Sequence, residues 1–181
     1  GSVCASKNDV VVHGVPGDTL LEEGDIISID VGATFQGFVG DTAATFPVGK
    51  VSPEALKLIN VTKGSLDKGI EAAVDKGHIG DIGYAVEKYA KQFGYSVVRE
   101  YAGHGVGRSM HEDPIVPNYG KPGTGPLLRN GMVIAIEPMV NIGGPGVITF
   151  PDMRVVTRDR SWSAHFEHTI AITEKGPVRL T

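Results

Sequence analysis

Asp30, Asp41, His104, Glu137 and Glu167 stand where an acid or an imidazole is out of place unless it binds something. Asp30 closes the apolar run Ile26-Ile27-Ser28-Ile29, and Asp41 follows the turn-like stretch from Gly32 to Gly37. Glu137 ends the run Met132-Val133-Ile134-Ala135-Ile136 and precedes Pro138. Glu167 sits in Ala164-His165-Phe166-Glu167-His168-Thr169-Ile170, which alternates like a strand. Carboxylates are rarely fully buried unless paired or bound to a cation. Four carboxylates and one imidazole form a hard, oxygen-rich donor set, better suited to two divalent ions such as Mn, Fe, Co or Zn than to a structural zinc. Two ions about 3.5 to 4 Å apart can hold a hydroxide and polarise a carbonyl. His13, ahead of Gly14, and His111, followed by Glu112, lie beside this set in the sequence. A histidine near a metal-bound substrate donates to a developing oxyanion or shuttles a proton.

Strands must position these groups. Val10 to His13 reads as a short strand running into the turn Gly14-Val15-Pro16-Gly17. Ile26 to Val31 and Phe38 to Phe46 read as a hairpin, and side-chain alternation then brings Asp30 and Asp41 to one face. Ser52-Pro53 starts a helix, with Leu56, Ile59, Lys63, Leu66, Ile70 and Val74 as its stripe and an end near Gly77. The spacing predicts a second helix from Asp81 to Phe93, with Ile82, Val86, Tyr89 and Phe93 on one face and Gly94 as the stop. Tyr95 to Tyr101 returns as a strand that delivers Gly103-His104-Gly105, and Gly131 precedes the strand ending at Glu137. Lys121 to Pro126 is loop, and the chain from Val140 onward is strand-rich. The expected class is α+β: a largely antiparallel sheet with two helices on one face and the acids on the other.

The 181 residues fit one domain over 1–181, long enough to bury a core. A formal charge of −4 and a pI near 5.8 offer no electrostatic reason to expect nucleic acid or an anionic membrane. No apolar run approaches the roughly 18 to 20 residues that span a bilayer. Gly1 to Ser6 has neither the basic nor the apolar region of a signal peptide, so the glycosylation pattern Asn60-Val61-Thr62 is discounted. Cys4 is the single cysteine, which excludes an internal disulfide and is compatible with a reducing compartment. It reads as a core or pocket-wall residue rather than a nucleophile.

Taken in order, the motifs resemble type I methionine aminopeptidase, a metallopeptidase of the pita-bread (creatinase/aminopeptidase-like) fold, with a curved sheet and helices on its outer face. The stretches that carry the resemblance are Asn8-Asp9, Val12 to Gly17, Gly24-Asp25-Ile26, Ile29 to Gly32, Gly40-Asp41, Gly103 to Arg108, His111-Glu112, Ile136-Glu137-Pro138 and Glu167-His168-Thr169. The resemblance implies that Asp30 ligates one ion with both oxygens, Asp41 and Glu167 bridge the pair, and His104 with Glu137 completes the second site. It implies Glu137 as the acid/base partner of a metal-held hydroxide that attacks the scissile carbonyl. His13 then assists the scissile amide and leaving nitrogen, and His111 binds the substrate carbonyl. Cys4 and Met153 are expected against the substrate; Met153 stands where the family usually has a tryptophan of the methionine pocket, and Trp162 lies nearby in sequence. The implied reaction removes the initiator methionine from peptides and nascent chains whose second residue is small. The setting implied is a cytoplasm or an organelle of bacterial type, at the ribosome, with a monomeric enzyme. The chain is short at its N-terminus relative to the family, so that leading helices, a strand and a pocket aromatic are expected to be absent or supplied by another chain.

Other readings fare worse on the residues. Gly103 to Arg108 lacks the spacing of a dinucleotide fingerprint, and His111-Glu112 is not followed by the second histidine of a zincin. His78, His165 and His168 read as structural or exposed, with His168 able to orient Glu167. Cleavage before proline, as in Xaa-Pro aminopeptidases, belongs to the same fold but to longer chains. A fold relative that has lost catalysis and binds protein or RNA is expected to have lost ligands, whereas all five are present here.

Overall fold

The computed structural model describes residues 3–181, so the Gly1-Ser2 part of the leading segment lies outside the described residues. Strands β1 (Val3–Lys7) and β2 (Val10–Val12) open the chain, followed by β3 (Ile26–Phe35) and β4 (Phe38–Pro47). The hairpin of β3 and β4 is longer than its apolar pattern suggests. Gln36 and Gly37 both adopt positive φ, 50° and 81°, the two-residue turn whose twist matches paired strands and extends them to their tips.

Helix α1 (Pro53–Ala72) starts as expected: Ser52 Oγ accepts from the Ala55 N–H at 3.1 Å, and Pro53 occupies the first turn. Its buried stripe differs from the predicted one. Leu56 and Val74 are 49% and 43% exposed, and Ala55, Leu58, Thr62, Ser65 and Gly69 face inward with Ile59, Leu66 and Ile70. The hydroxyls of Thr62 and Ser65 bond back to the carbonyls of Leu58 and Val61, which lets polar residues share the buried face. Helix α2 (Ile79–Gln92) begins two residues before Asp81, whose carboxylate accepts from the N–H groups of His78 and Gly123, each at 2.7 Å. Gly94, at φ 83°, ends it as expected.

Of the predicted strand from Tyr95 to Tyr101 only β5 (Ser96–Val97) forms; β6 (Ala102–Gly105) begins just beyond it and pairs in a different sheet. The chain between them crosses from one sheet to the other, tied at its start by Val98 N–H to the Met139 carbonyl. Then follow β7 (Glu112–Pro117), β8 (Val133–Ile136), β9 (Met139–Asn141), β10 (Val147–Thr149), β11 (Val155–Thr157), β12 (Ser163–His165), β13 (Glu167–Thr173) and β14 (Gly176–Arg179).

Among the described residues the main sheet runs β1-β3-β4-β13-β8-β6-β7, with β14 on β13, and its pairings are antiparallel. Smaller sheets, β10-β11-β2 and β12-β9-β5, back one end. Helix α1 packs against β8 and β13 and helix α2 against α1, β5 and β7, in one core with Ile134, Ile136, Ile170 and Ile172, all essentially buried. Burial of each such side chain stabilises by roughly 1.5–3 kcal/mol. A second cluster, Val11, Val12, Val98, Met139, Val147 and Val155, joins the small sheets to the chain that carries His13.

Candidate metal centre

The strand registers line up the acids. Cys4 pairs with Asp30, Asp30 with Ala43, and Ala43 with Glu167, so these four residues stand side by side on one face across β1, β3, β4 and β13. Asp41 lies two residues along β4 on the same face, opposite Gly32. The β8–β13 register pairs Ile136 with His168; its next step sets Glu137 beside Glu167, where Pro138 ends the strand and its carbonyl accepts from Phe166 N–H. Gly32 and Ala43, small residues opposite the acids, leave room above the sheet. His104 reaches the same space from β6.

The donors fit a cation. His104 Nε2 lies 3.8 Å from Asp41 Oδ2 and 3.6 Å from Glu137 Oε1, beyond hydrogen-bond length. Donors around one ion, each about 2 Å from it, stand ~3–4 Å apart. One ligand atom each from Asp41, His104 and Glu167 lies within 4.8 Å of the others. His104 Nδ1 is 2.9 Å from the Gly105 carbonyl and donates to it, so Nε2 presents its lone pair to the carboxylates. Glu167 Oε1 is buried without a hydrogen-bond partner. An orphaned carboxylate oxygen among other carboxylates is stable only against a cation or a proton.

The titration behaviour agrees. Burial, then the Asp41 charge, pushes Asp30 up to about 6. Burial raises Asp41 as well, against the opposing pull of His104. Glu137 and Glu167 are driven well above the usual carboxylate range, first by burial and then by the neighbouring acids. Burial lowers His104 and His13, which favours the neutral, ligand-competent imidazole. Burial and Asp30 raise the Cys4 thiol, which argues against a reactive thiolate.

All the predicted site residues except Met153 line one cavity of about 810 Å³: Cys4, His13, Asp30, Asp41, His104, His111, Glu137 and Glu167. His111 is exposed, with its ring centroid 4.4 Å from that of His104. His13 is held at φ 61° after β2, edge-on to Tyr101 at 5.6 Å. Met153 does not reach the cavity. It sits at φ 71° in a turn whose N–H bonds the Phe150 carbonyl, which sends its side chain outward at 62% exposure; only its backbone meets His13. Trp162 packs instead against the helix-side core. His168 bonds toward Thr181 Oγ1, and alternation along β13 turns it away from the Glu167 face, so it does not orient that ligand.

Sequence reasoning missed several supporting residues. Thr169 clamps Asp41, accepting from its N–H at 2.9 Å and donating to its carbonyl at 2.8 Å. Asn118 donates to the Glu137 carbonyl at 3.1 Å. Met110 folds over Gly32, and His165, expected to be structural or exposed, is buried. The alternation Glu167-x-Thr169 was the one local signal available for any of these.

Comparison with known proteins places this geometry. The pattern of metallopeptidase family M24 matches residues 1–174. The chain is 53% identical over 182 aligned residues to a methionine aminopeptidase of Clostridium acetobutylicum, covering 99% of this chain and 73% of that protein. It is 52% identical to methionine aminopeptidase 1 of Bacillus subtilis, covering 100% and 73%. The crystal structure of methionine aminopeptidase from Rickettsia prowazekii superposes with a TM-score of 0.96 at 45% identity, over 98% of this chain and 72% of that one. A prolidase from Pyrococcus furiosus gives 0.78 at 26% identity, over 100% and 49%. The pita-bread fold, with its curled antiparallel sheet and two helices, is therefore shared by this chain.

Proposed function

The chain belongs to metallopeptidase family M24 and to its methionine aminopeptidases, and on that premise we propose that it releases the initiator methionine from peptides and nascent chains with a small second residue. Asp30, Asp41, His104, Glu137 and Glu167 hold two divalent ions in this reading. The observation that carries it is the buried, unpartnered Glu167 Oε1 within a cluster of acids and a lone-pair-bearing His104. Bound divalent ions supply Lewis acidity to a water and to the scissile carbonyl.

The remaining steps belong to side chains. Glu137, whose proton affinity is raised by burial and by Asp30 and Asp41, takes a proton from the attacking water and returns it toward the leaving nitrogen. His111, at the open side of the cavity, donates to the oxygen that gains negative charge. His13, steadied by Tyr101, faces the scissile amide and its leaving nitrogen. Cys4, next to Asp30 in the row, forms part of the wall that excludes water around the substrate. A single catalytic domain over 1–181, a monomeric state, a cytoplasmic or bacterial-type organellar setting and work near the ribosome belong to the same proposal; the bacterial sources of the relatives fit the setting. No helix among the described residues is long and apolar enough to cross a membrane.

Cleavage before proline is the second reading, favoured by the prolidase likeness but at half the identity of the methionine aminopeptidases. The deciding experiment measures free methionine from Met-Ala-Ser and Met-Pro peptides, with an Ala-Pro dipeptide alongside, after chelation and then stepwise Mn, Co, Fe or Zn. Metal-dependent methionine release is expected. Cleavage of Ala-Pro alone, or no release by a folded, metal-binding protein, would overturn the reading.

A further inference from the structure

Glu137 faces two imidazoles, one from each oxygen. Its Oε1 is 3.6 Å from His104 Nε2, and its Oε2 is 3.7 Å from His165 Nε2. The two contacts differ in kind. His104 Nε2 carries a lone pair, because its Nδ1 donates to the Gly105 carbonyl, so it and Glu137 Oε1 attract through a cation or a proton between them. His165 Nε2 is buried with no hydrogen-bond partner, and a carboxylate oxygen is the group in front of it. A proton on this nitrogen satisfies the histidine and the carboxylate together.

The backbone of His165 is held unusually firmly. Its N–H donates to Thr45 Oγ1 at 2.9 Å, and the Thr45 hydroxyl donates to its carbonyl at 2.9 Å. Thr45 has one hydroxyl proton and uses it there, so the Ser28 hydroxyl, 2.8 Å away, donates to Thr45. In the β9–β12 ladder His165 stands opposite Met139, close to Glu137 on the same connection. The 3.7 Å separation is past hydrogen-bond length, so a bond here requires the two groups to approach by several tenths of an ångström.

We propose that His165 is a positioning residue for Glu137: its Nε2–H donates to Glu137 Oε2 and thereby keeps Oε1 turned to the ion shared with His104. This rests on the metal reading above. Partners of ligating groups commonly change metal affinity or activity by about 10–100-fold when removed. The side chain acts through Glu137 and makes no contact with substrate in this role.

The test compares His165→Leu, which removes the donor, with His165→Gln, which keeps an N–H in a similar place. Titration of chelated protein with Mn²⁺ by calorimetry reads the ion affinities without any substrate, and steady-state kinetics on Met-Ala-Ser separates kcat from KM. His165→Leu is expected to weaken the second Mn²⁺ affinity and lower kcat by about 10–100-fold with KM little changed, and His165→Gln to recover most of both. Should His165→Leu fail to fold, His165→Met fills the same volume and takes its place. Mn²⁺ affinity and kcat within twofold of the parent in a folded donor-less variant would overturn the role. So would a folded His165→Gln as impaired as His165→Leu. Parent protein that binds Mn²⁺ but releases no methionine would sink the substrate reading alone, since the affinity comparison stands apart from it.

Discussion

At the scale of single residues the site is a set of acids held where acids are unfavourable, and each role has its own signature on substitution. Asp41→Asn removes one anionic oxygen from the Asp41, His104 and Glu167 group. It is expected to abolish methionine release and to lower bound metal, read by elemental analysis. His111→Ala removes no ligand atom of that group; kcat is expected to fall by about 10²–10³-fold with metal content unchanged. Equal metal loss in both variants would count against this division of roles. Asp30 supplies a pH test. Its folded value is raised to about 6 from an ordinary value near 3.8. The stability of a group raised in this way is fully present below the unfolded value and is lost as pH rises through the folded one. In chelated protein, Asp30→Asn is therefore expected to melt higher than the parent at pH 8. The gap should close as pH falls from about 6 to about 4, and a gap independent of pH would refute it.

Glycines at the element scale show how tightly the strands bracket the donors. A Cβ at Gly105 would collide with the backbone carbonyl of Asp113 on β7, next to His104. Backbone cannot yield cheaply, so Gly105→Ala is expected to destabilise by about 1–3 kcal/mol and to weaken metal binding by displacing His104. A Cβ at Gly32 meets instead the flexible end of Met110. Gly32→Ala is expected to cost less than about 1 kcal/mol while raising KM, because Met110 swings into the cavity. Melting curves and kinetics on the pair decide it: comparable destabilisation in both would show that the register, not the contact, governs. The elements themselves were largely readable. Ser52-Pro53 and Gly94 punctuate the helices by local rules. The inward stripe of α1 was not, because Thr62 and Ser65 satisfy their hydroxyls within the helix and hide among apolar neighbours.

For the whole molecule, ion binding and folding are linked. Buried acids repel one another without cations, and a ligand at 100 times its Kd stabilises by about 2.7 kcal/mol. Mn²⁺ or Co²⁺ added to chelated protein is expected to raise Tm by roughly 5–10 °C, from about 2–4 °C per kcal/mol at this size. A Tm indifferent to metal and chelator would contradict the centre. The sequence by itself determined the donor chemistry, since an acid that ends an apolar run declares itself wherever it folds. It also determined the α+β class, through alternation and capping that act over a few residues. Tertiary structure alone decided which donors meet. The row Cys4-Asp30-Ala43-Glu167 exists through registers between strands far apart in the chain, and these depend on turn geometry and on the packing of the full sheet. The same long-range fit put His165 against Glu137 and turned Met153 outward, because burial and direction belong to a residue's surroundings and not to its type.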